Sequence, residues 1–423
     1  MRSPAVAIEE VTRFRGSADT LEEALRIFLG WDPKVPLPAA DELCKNRGKH
    51  PDAVVSRSQA SSVGKQLANQ GYTRQHRFAV LPSRTQPRWL LPLTSDRRAI
   101  DGFELYTPYS RATRLMKALV VRVRATGWEG WVRHSLLVAA RSPLPIEKLV
   151  TEVTGEKQLT FAFSLGTPGP VQKLTVQVMR PDGKILGYLK MPLKTGAEQR
   201  LRHEAETVEK LQRFAKLRAH IPRLLFAGAW HGRYVVFQSA IGGEAGPVRM
   251  TERHEEFLKI LQGCEPAMVP GRKLVQKVDQ RWQKVAPSLE TNWQRLGREV
   301  LRIASRELDS VPIGCGVQHG DFAPWNTRVQ PKGLIVFDWE SAAWEAPVLW
   351  DKFHFLTQTE CLLSLRHEPA ADIRAANRSL YMLYVLNSVA QLRDEGAMAF
   401  SLEYREKQIR KHLSEPAQTA VAD

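Results

Sequence analysis

The sequence predicts an α+β protein of two lobes, a small antiparallel-sheet lobe and then a mainly helical lobe, with an extra region before them. Three observations lead there. Strand-like runs of alternating character follow one another at Leu159–Leu165, Lys173–Met179 and Ile185–Met191. A helix with a charged face from about Glu198 to Leu217, a further strand at Arg233–Ser239 and then Gly242-Gly243 complete a small lobe. After Glu252 helix-period apolar positions dominate. The expected organisation is a mixed α/β extension over 1–150, the small lobe over 151–243, the helical lobe over 244–413 and a frayed tail over 414–423.

In the extension, Thr20 to Leu29 reads as a helix, since Thr20 can cap it and Glu22 and Glu23 stand in its first turn. Residues 31–75 show no clear period. Phe78 to Leu93 looks like two short strands about a turn, and its prolines argue for edge strands or turns, because proline has no N–H for a ladder. Ser110 to Gly127 is amphipathic. Leu115, Met116, Leu119, Val120 and Val123 share one helical arc, while Arg111, Arg114, Lys117, Arg122 and Arg124 share the other. Such a helix either lies on an anionic membrane surface or packs on its own domain with a solvated basic face.

In the small lobe, Gly166-Thr-Pro-Gly-Pro170 joins the first two runs and Pro181-Asp-Gly-Lys184 the second pair, the latter a strong hairpin signal. The helical lobe reads as helices at Glu255–Leu261, Arg272–Val285 and Asn292–Leu308. Strand-like pieces follow around Val317 and Leu334–Phe337, and two or three helices run from Ala346 to about Leu413.

Of the 423 residues 43% are hydrophobic, which excludes disorder as the dominant state. Cys44, Cys264, Cys315 and Cys361 lie far apart with no C-x-x-C pair, so buried free thiols are expected rather than a zinc or redox centre. The first sixteen residues carry acidic groups and no continuous apolar core, unlike a secretory signal, and no window is apolar enough to span a bilayer. The expected setting is the reducing cytoplasm, with a peripheral place at the inner membrane surface as the alternative.

The formal net charge is +16, and it is uneven. Residues 51–150 hold 16 basic against 6 acidic side chains, residues 151–250 hold 15 against 8, and residues 251–423 hold 22 against 23. The excess predicts an anionic partner, and the part in residues 51–150 suits a membrane surface or another polyanion. No helix-turn-helix, zinc-finger or RNP-like pattern supports nucleic-acid recognition.

Chemistry concentrates in Val317-Gln-His-Gly-Asp-Phe-Ala-Pro-Trp-Asn326, followed by Ile335-Val-Phe-Asp-Trp-Glu340. A strand leads into His319-Gly320-Asp321, Asn326 follows Asp321 by five residues, and a second strand delivers Asp338. Phosphoryl transfer needs one carboxylate to orient or deprotonate a hydroxyl, with an amide and a second carboxylate to hold Mg²⁺ on the phosphates. The Asp-to-Asn interval is that of a kinase catalytic loop.

These two segments resemble the aminoglycoside phosphotransferase/choline kinase family, a branch of the protein-kinase-like fold, over about residues 155–400. The resemblance implies an ATP- and Mg²⁺-dependent kinase acting on a hydroxyl of a small molecule. It makes Asp321 the catalytic base or orienting group, with His319 holding the loop, and Asn326 and Asp338 the metal ligands, Glu340 joining them directly or through water. Asp351 would brace the loop or else cap the following helix. Lys190, closing its strand, would pair the nucleotide phosphates with Glu204 as partner; Lys194 is a rival lysine, and Glu198, Glu206 and Glu209 are rival acids. Gly166 would belong to a phosphate-covering loop that departs from G-x-G-x-x-G, or to a plain turn. Backbone groups from Gln238 to Ala240 would hold adenine. Acceptors that fit are a sugar, a glycan intermediate or an amino alcohol. The alternatives are an aminoglycoside-type antibiotic kinase, which the near-neutral charge of residues 251–423 does not favour, and a kinase-like nucleotide-binding regulatory module without phosphotransfer.

Overall fold

The structure is a computed structural model that describes residues 18–30, 52–56, 61–93, 100–105, 107–109, 114–115, 117–119, 121–122, 132, 134–365, 374, 377–395 and 399–414. Two compact units emerge from the packing. One takes Thr12–Glu206 and Pro222–Ile241, the other Thr207–Ile221 and the chain from Gly242 onward. The first is built on a large antiparallel sheet and the second is mainly helical, which is the predicted α+β class. Cys44, Arg111, Met116, Val120, Val123, Arg124, the first seventeen residues and the tail after Ser414 lie outside the described residues.

The sheet unit runs through α1 (Ala18–Leu29), β1 (Ala53–Ser56), α2 (Ser61–Asn69), β2 (Arg74–Pro82), β3 (Pro87–Pro92), β4 (Ser135–Ala140), α3 (Pro145–Thr154), β5 (Thr160–Ser164), β6 (Lys173–Met179), β7 (Ile185–Pro192), α4 (Thr195–Leu211), β8 (Leu224–Trp230) and β9 (Arg233–Ser239). Nine strands pair in the order β1-β4-β2-β3-β5-β6-β7-β9-β8. The alternating runs read from the sequence are β5, β6 and β7, and the Pro-Asp-Gly turn closes where Arg180 and Gly183 bond across it.

Residues 31–75, which carry no readable period, contain β1, α2 and the start of β2. The prolines of Phe78–Leu93 do not put those strands at an edge: β2 lies between β4 and β3, and β3 between β2 and β5. The reason is placement. Pro82 and Pro87 face each other at the turn and Pro92 ends its strand, so the missing N–H groups fall where the ladder stops. Trp89 and Leu90 pair with Ser164 and Phe163, which carries the extension's strands into the sheet of the following residues. Packing therefore draws no boundary at residue 150. One apolar core runs from Leu21 to Phe237, with Phe28 fully buried at 5.0–6.0 Å from the rings of His76, Phe78, Phe161 and Phe163.

The described positions of the basic amphipathic segment, 114–115, 117–119 and 121–122, are helical. Its apolar arc is not turned inward as a whole. Leu115 and Leu119 of that arc are 73% and 57% exposed, whereas Val121, which lies outside it, packs on Leu91, Ala162 and Met179.

The helical unit comprises β10 (Glu244–Ala245), α5 (Glu252–Gln262), β11 (Ala267–Pro270), α6 (Gly271–Val285), α7 (Thr291–Leu308), β12 (Pro312–Gln318), β13 (Thr327–Gln330), β14 (Gly333–Val336), β15 (Ala343–Pro347), α8 (Trp350–Leu363), α9 (Arg378–Glu395) and α10 (Ala399–Ser414). Helices α6, α7 and α9 enclose a core with Trp282, Trp293, Val300, Tyr381 and Val385, and Phe353 of α8 joins it. Two small sheets, β11-β12-β15 and β10-β13-β14, carry the loops between them.

Replacing Phe28 by Ala removes a ring from the centre of the sheet-unit core and is expected to cost about 3–5 kcal/mol. Urea unfolding followed by far-UV dichroism checks it; a change below about 1 kcal/mol would show that α1 does not belong to that core.

Candidate active site

The helical unit gathers most of the residues singled out by the sequence. Strand β12 ends at Gln318 and releases the chain into His319-Gly320-Asp321. Gly320 stands at φ 82°, and a Cβ there would lie 2.1 Å from the carbonyl oxygen of Ser341, so only glycine fits. The loop is held from α8. Asp351, fully buried in the first turn, accepts the backbone N–H of His319 through Oδ2 at 2.7 Å and that of Gly320 through Oδ1 at 2.9 Å. Of the two readings of Asp351, the brace is the one observed; the N-cap position of α8 is Leu349. Burial pushes the Asp351 carboxyl up, and His319 with the two N–H donors opposes that shift.

His319 is likewise committed. Its Nε2 bonds the carbonyl of Phe337 at 2.9 Å, its Nδ1 accepts the N–H of Asp321 at 3.2 Å, and its ring lies 4.5 Å from that of Trp339. Both nitrogens bind backbone groups, so His319 ties the loop to the end of β14 and has no nitrogen left to exchange a proton with a substrate.

Asn326 closes the turn after Pro324. Its amide Nδ2 donates to both the backbone oxygen and Oδ2 of Asp321, at 2.9 and 2.8 Å. In the hairpin β13–β14 Thr327 pairs with Val336, and the carbonyl of Asn326 accepts the N–H of Phe337 at 3.1 Å. Asp338 is the next residue, so the hairpin's register delivers Asn326 and Asp338 to the same end. Asp338 takes a left-handed conformation, φ 71° and ψ 59°, that turns the chain sharply out of β14. Asp338 and Glu340 bring carboxylate oxygens within 4.8 Å of one another. With its N–H groups on Asp321, Asn326 keeps its side-chain carbonyl oxygen as a hard donor. Two carboxylates and an amide oxygen fit a Mg²⁺ ion, which prefers oxygen ligands.

Sequence reading missed one residue of this site. His354, one turn beyond Asp351 on α8, places Nε2 2.9 Å from Oδ1 of Asp321. Asp351 and His354 are three apart and therefore share a helix face, a signal present in Trp350-Asp-Lys-Phe-His354 once the helix is assigned.

The sheet unit holds the remaining candidates. Lys190, two residues before the end of β7, is buried and ion-pairs with Oε1 of Glu204, which is fully buried on α4. Lys194, Glu206 and Glu209 are exposed, and Glu198 pairs with the exposed Arg202. Burial thus separates Lys190 and Glu204 from their rivals. The side chain of Gln238 is buried and donates to Oε1 of Glu204 at 3.1 Å. The backbone N–H of Ser239 bonds the carbonyl of Arg223, and that of Ala240 the carbonyl of Leu186. Gly166 starts the β5–β6 loop at φ 64°, against the carbonyl of Lys173, and its own carbonyl accepts a bond from Arg88 at 3.1 Å. That describes a turn pinned by the preceding hairpin.

Cys315 and Cys361 are buried and Cys264 is half-buried, all three free, and burial raises each thiol above its ordinary range, as inert thiols would have it. No helix among the described residues is long and apolar enough to cross a membrane.

No protein-family model matches the chain, and no curated protein matches it. Among solved structures it is similar to a thermostable mutant of aminoglycoside phosphotransferase APH(4)-Ia in ternary complex with ADP and hygromycin B, at 14% identity over 64% of this chain and 99% of that one, TM-score 0.47. It is also similar to choline kinase LicA from Streptococcus pneumoniae (14% identity, 64% and 97% coverage, TM-score 0.39). A third similar structure is the GDP complex of wild-type aminoglycoside 2'-phosphotransferase-IIIa (12%, 63% and 98%, TM-score 0.43).

His254 supports the loop from α5 and makes a pH test. Its Nδ1 accepts the N–H of Thr251 at 3.1 Å, while its ring packs against Phe322 and Phe355. Burial pushes its pKa from 6.5 down to about 4. As pH falls below 6.5 the unfolded chain takes a proton that the folded chain refuses until about pH 4. Stability from this residue is therefore complete above pH 6.5 and declines by about 1.4 kcal/mol per pH unit below it. Urea unfolding of wild type and His254→Gln between pH 7 and about 4.5 is expected to show a shallower decline in the variant; parallel declines would remove His254 from the account.

Proposed function

We propose that the protein is an ATP- and Mg²⁺-dependent phosphotransferase that phosphorylates a hydroxyl of a small molecule. The observation that carries this reading is the coupling of Asp321 to Asn326, with Asp338 brought to the same hairpin end. This is the smallest set of groups that phosphoryl transfer demands. Asp321 is a carboxylate held on both oxygens yet 32% exposed, so an acceptor hydroxyl can reach it. It receives the hydroxyl proton as the acceptor oxygen bonds to the γ-phosphorus and the bond to ADP breaks. Asn326, Asp338 and Glu340 would hold Mg²⁺, which neutralises charge on the phosphates when bound. In the sheet unit, Lys190 is held in an ion pair with Glu204, the arrangement a phosphate-pairing lysine needs.

Residues 251–423 are near neutral, 22 basic against 23 acidic, which supports a sugar, a glycan intermediate or an amino alcohol over a polycationic antibiotic as acceptor.

Asp321→Ala is expected to lower kcat by about 10²–10⁴ with Mg²⁺·ATP affinity kept, and Asp338→Ala to weaken Mg²⁺·ATP binding itself. The measurements are transfer of labelled γ-phosphate to fractions of a metabolite extract, with Asp321→Ala as blank, and calorimetric titration of Mg²⁺·ATP. Loss of nucleotide binding in the Asp321 variant, or equal turnover in variant and wild type, counts against the assignment.

The exposed Leu115 and Leu119 support a second reading for the basic excess of residues 51–150. With exposed Arg114 and Arg122 on the same short helix, they suit an anionic bilayer surface, apolar side chains entering it and guanidinium groups meeting its phosphates. Pelleting with vesicles containing phosphatidylglycerol is expected, weakened by high salt and lost in a Leu115→Asp, Leu119→Asp double variant. Pelleting that survives both, or a dimer that those substitutions dissolve, would sink this reading.

A further inference from the structure

The proposed reaction leaves a buried chain of hydrogen bonds unexplained. On α8, Asp351, His354 and Gln358 occupy positions i, i+3 and i+7, one face of the helix turned to the catalytic loop. Asp351 grips the loop's backbone. His354 reaches its reactive side chain, with Nε2 2.9 Å from Oδ1 of Asp321. On the far side of the ring, Nδ1 lies 3.3 Å from the hydroxyl of Tyr384 on α9. His354 and Tyr384 are both buried.

The order of donors along this chain follows from chemistry. Burial raises the Tyr384 phenol well above its ordinary range, so the hydroxyl keeps its proton. Oδ1 of Asp321 can only accept, so the Nε2 that faces it carries a proton, and the phenol is left to offer its O–H to Nδ1. A neutral imidazole that accepts at Nδ1 carries its proton on Nε2, and that N–H points at Oδ1 of Asp321. The amide of Gln358 lies 3.2 Å from the same nitrogen and so flanks the contact.

We infer that His354 is a positioning residue for the phosphotransfer proposed above: held by Tyr384, it orients the Asp321 carboxylate for the acceptor hydroxyl. The inference rests on that kinase reading. Asn326 fixes Oδ2 at 2.8 Å and His354 fixes Oδ1, so the carboxylate is clamped at both oxygens and its rotation is stopped. Each oxygen retains a lone pair, and the exposed side of the group receives the hydroxyl. A bulky histidine that only filled space would have no reason to meet the reactive carboxylate and a buried phenol with its two nitrogens.

The test has a spectroscopic arm and a kinetic arm. In the nucleotide-free protein labelled with ¹⁵N-histidine, His354, assigned by its loss in His354→Gln, is expected as the Nε2–H tautomer, and Tyr384→Phe is expected to shift its Nδ1 resonance. Turnover is followed as phosphate release from γ-labelled Mg²⁺·ATP with water as acceptor. His354→Phe is expected to lower kcat by about 10–100-fold while KM for ATP and the calorimetric affinity stay within about twofold. His354→Gln, long enough to offer an N–H to Asp321, is expected to recover activity that the shorter His354→Asn does not. The Gln/Asn comparison decides the matter should the Phe variant not fold. An Nδ1–H tautomer, or equal kcat across wild type, Phe, Gln and Asn variants, overturns the positioning role. Wild-type turnover no greater than that of Asp321→Ala overturns the kinase reading instead, and the positioning role with it.

Discussion

One buried carboxylate anchors the loop His319–Asp321 on which the rest of the candidate site is built. Asp351 receives the N–H groups of His319 and Gly320 at 2.7 and 2.9 Å in an interior where an unpaired charge would be costly. The interaction fixes the backbone just before Asp321, so that side chain leaves the loop at a defined place. The same requirement explains Gly320, whose left-handed backbone against Ser341 lets both amides point at one side chain. His319 then ties this loop to the end of β14, and the hairpin register brings Asn326 and Asp338 together. A helix turn, a glycine and a strand register thus build one site.

The sheet unit solves a different problem. It must hold a buried lysine, Lys190 of β7, beside a fully buried carboxylate. Glu204 supplies the opposite charge and Gln238 a further hydrogen bond to the same oxygen, which lowers the cost of burying the carboxylate. The nine-stranded sheet that holds β7 and β9 is longer than the small lobe expected from residues 151–243, because β3 pairs with β5 and admits the four preceding strands. Phe28, His76 and Phe78 from that early segment pack directly on Phe161 and Phe163. Residues before 150 are thereby part of the scaffold that positions Lys190.

Much of this was legible in the residues. Alternation at period 2 identified β5, β6 and β7, and the Asp-Gly turn gave the β6–β7 hairpin; helical spacing identified α1 and α5 to α7. The spacing of Asp321, Asn326 and Asp338 announced the loop, since its geometry is local and a hairpin of short strands leaves little freedom. Less was legible where partners are distant. The strands at Arg74–Pro82 and Pro87–Pro92 read as edges because proline depletes a ladder, yet each proline falls at a strand end, a fact set by register. Nothing in the residues around Gln238 showed that its side chain turns inward to Glu204.

By itself the sequence determined the order of elements, the identity of the loop and the chemistry of its side chains, because these follow from near neighbours and from periodicity. Only the tertiary structure decided which acid on α4 meets Lys190, since burial chooses Glu204 among side chains that share one helix. It alone decided that Asp351 braces rather than caps, and that His354 reaches Asp321 across 33 positions of chain. Those contacts depend on where α8 lies against β12 and the loop. That placement is the outcome of core packing by Phe353, Tyr381 and Tyr384, which no short window of sequence contains.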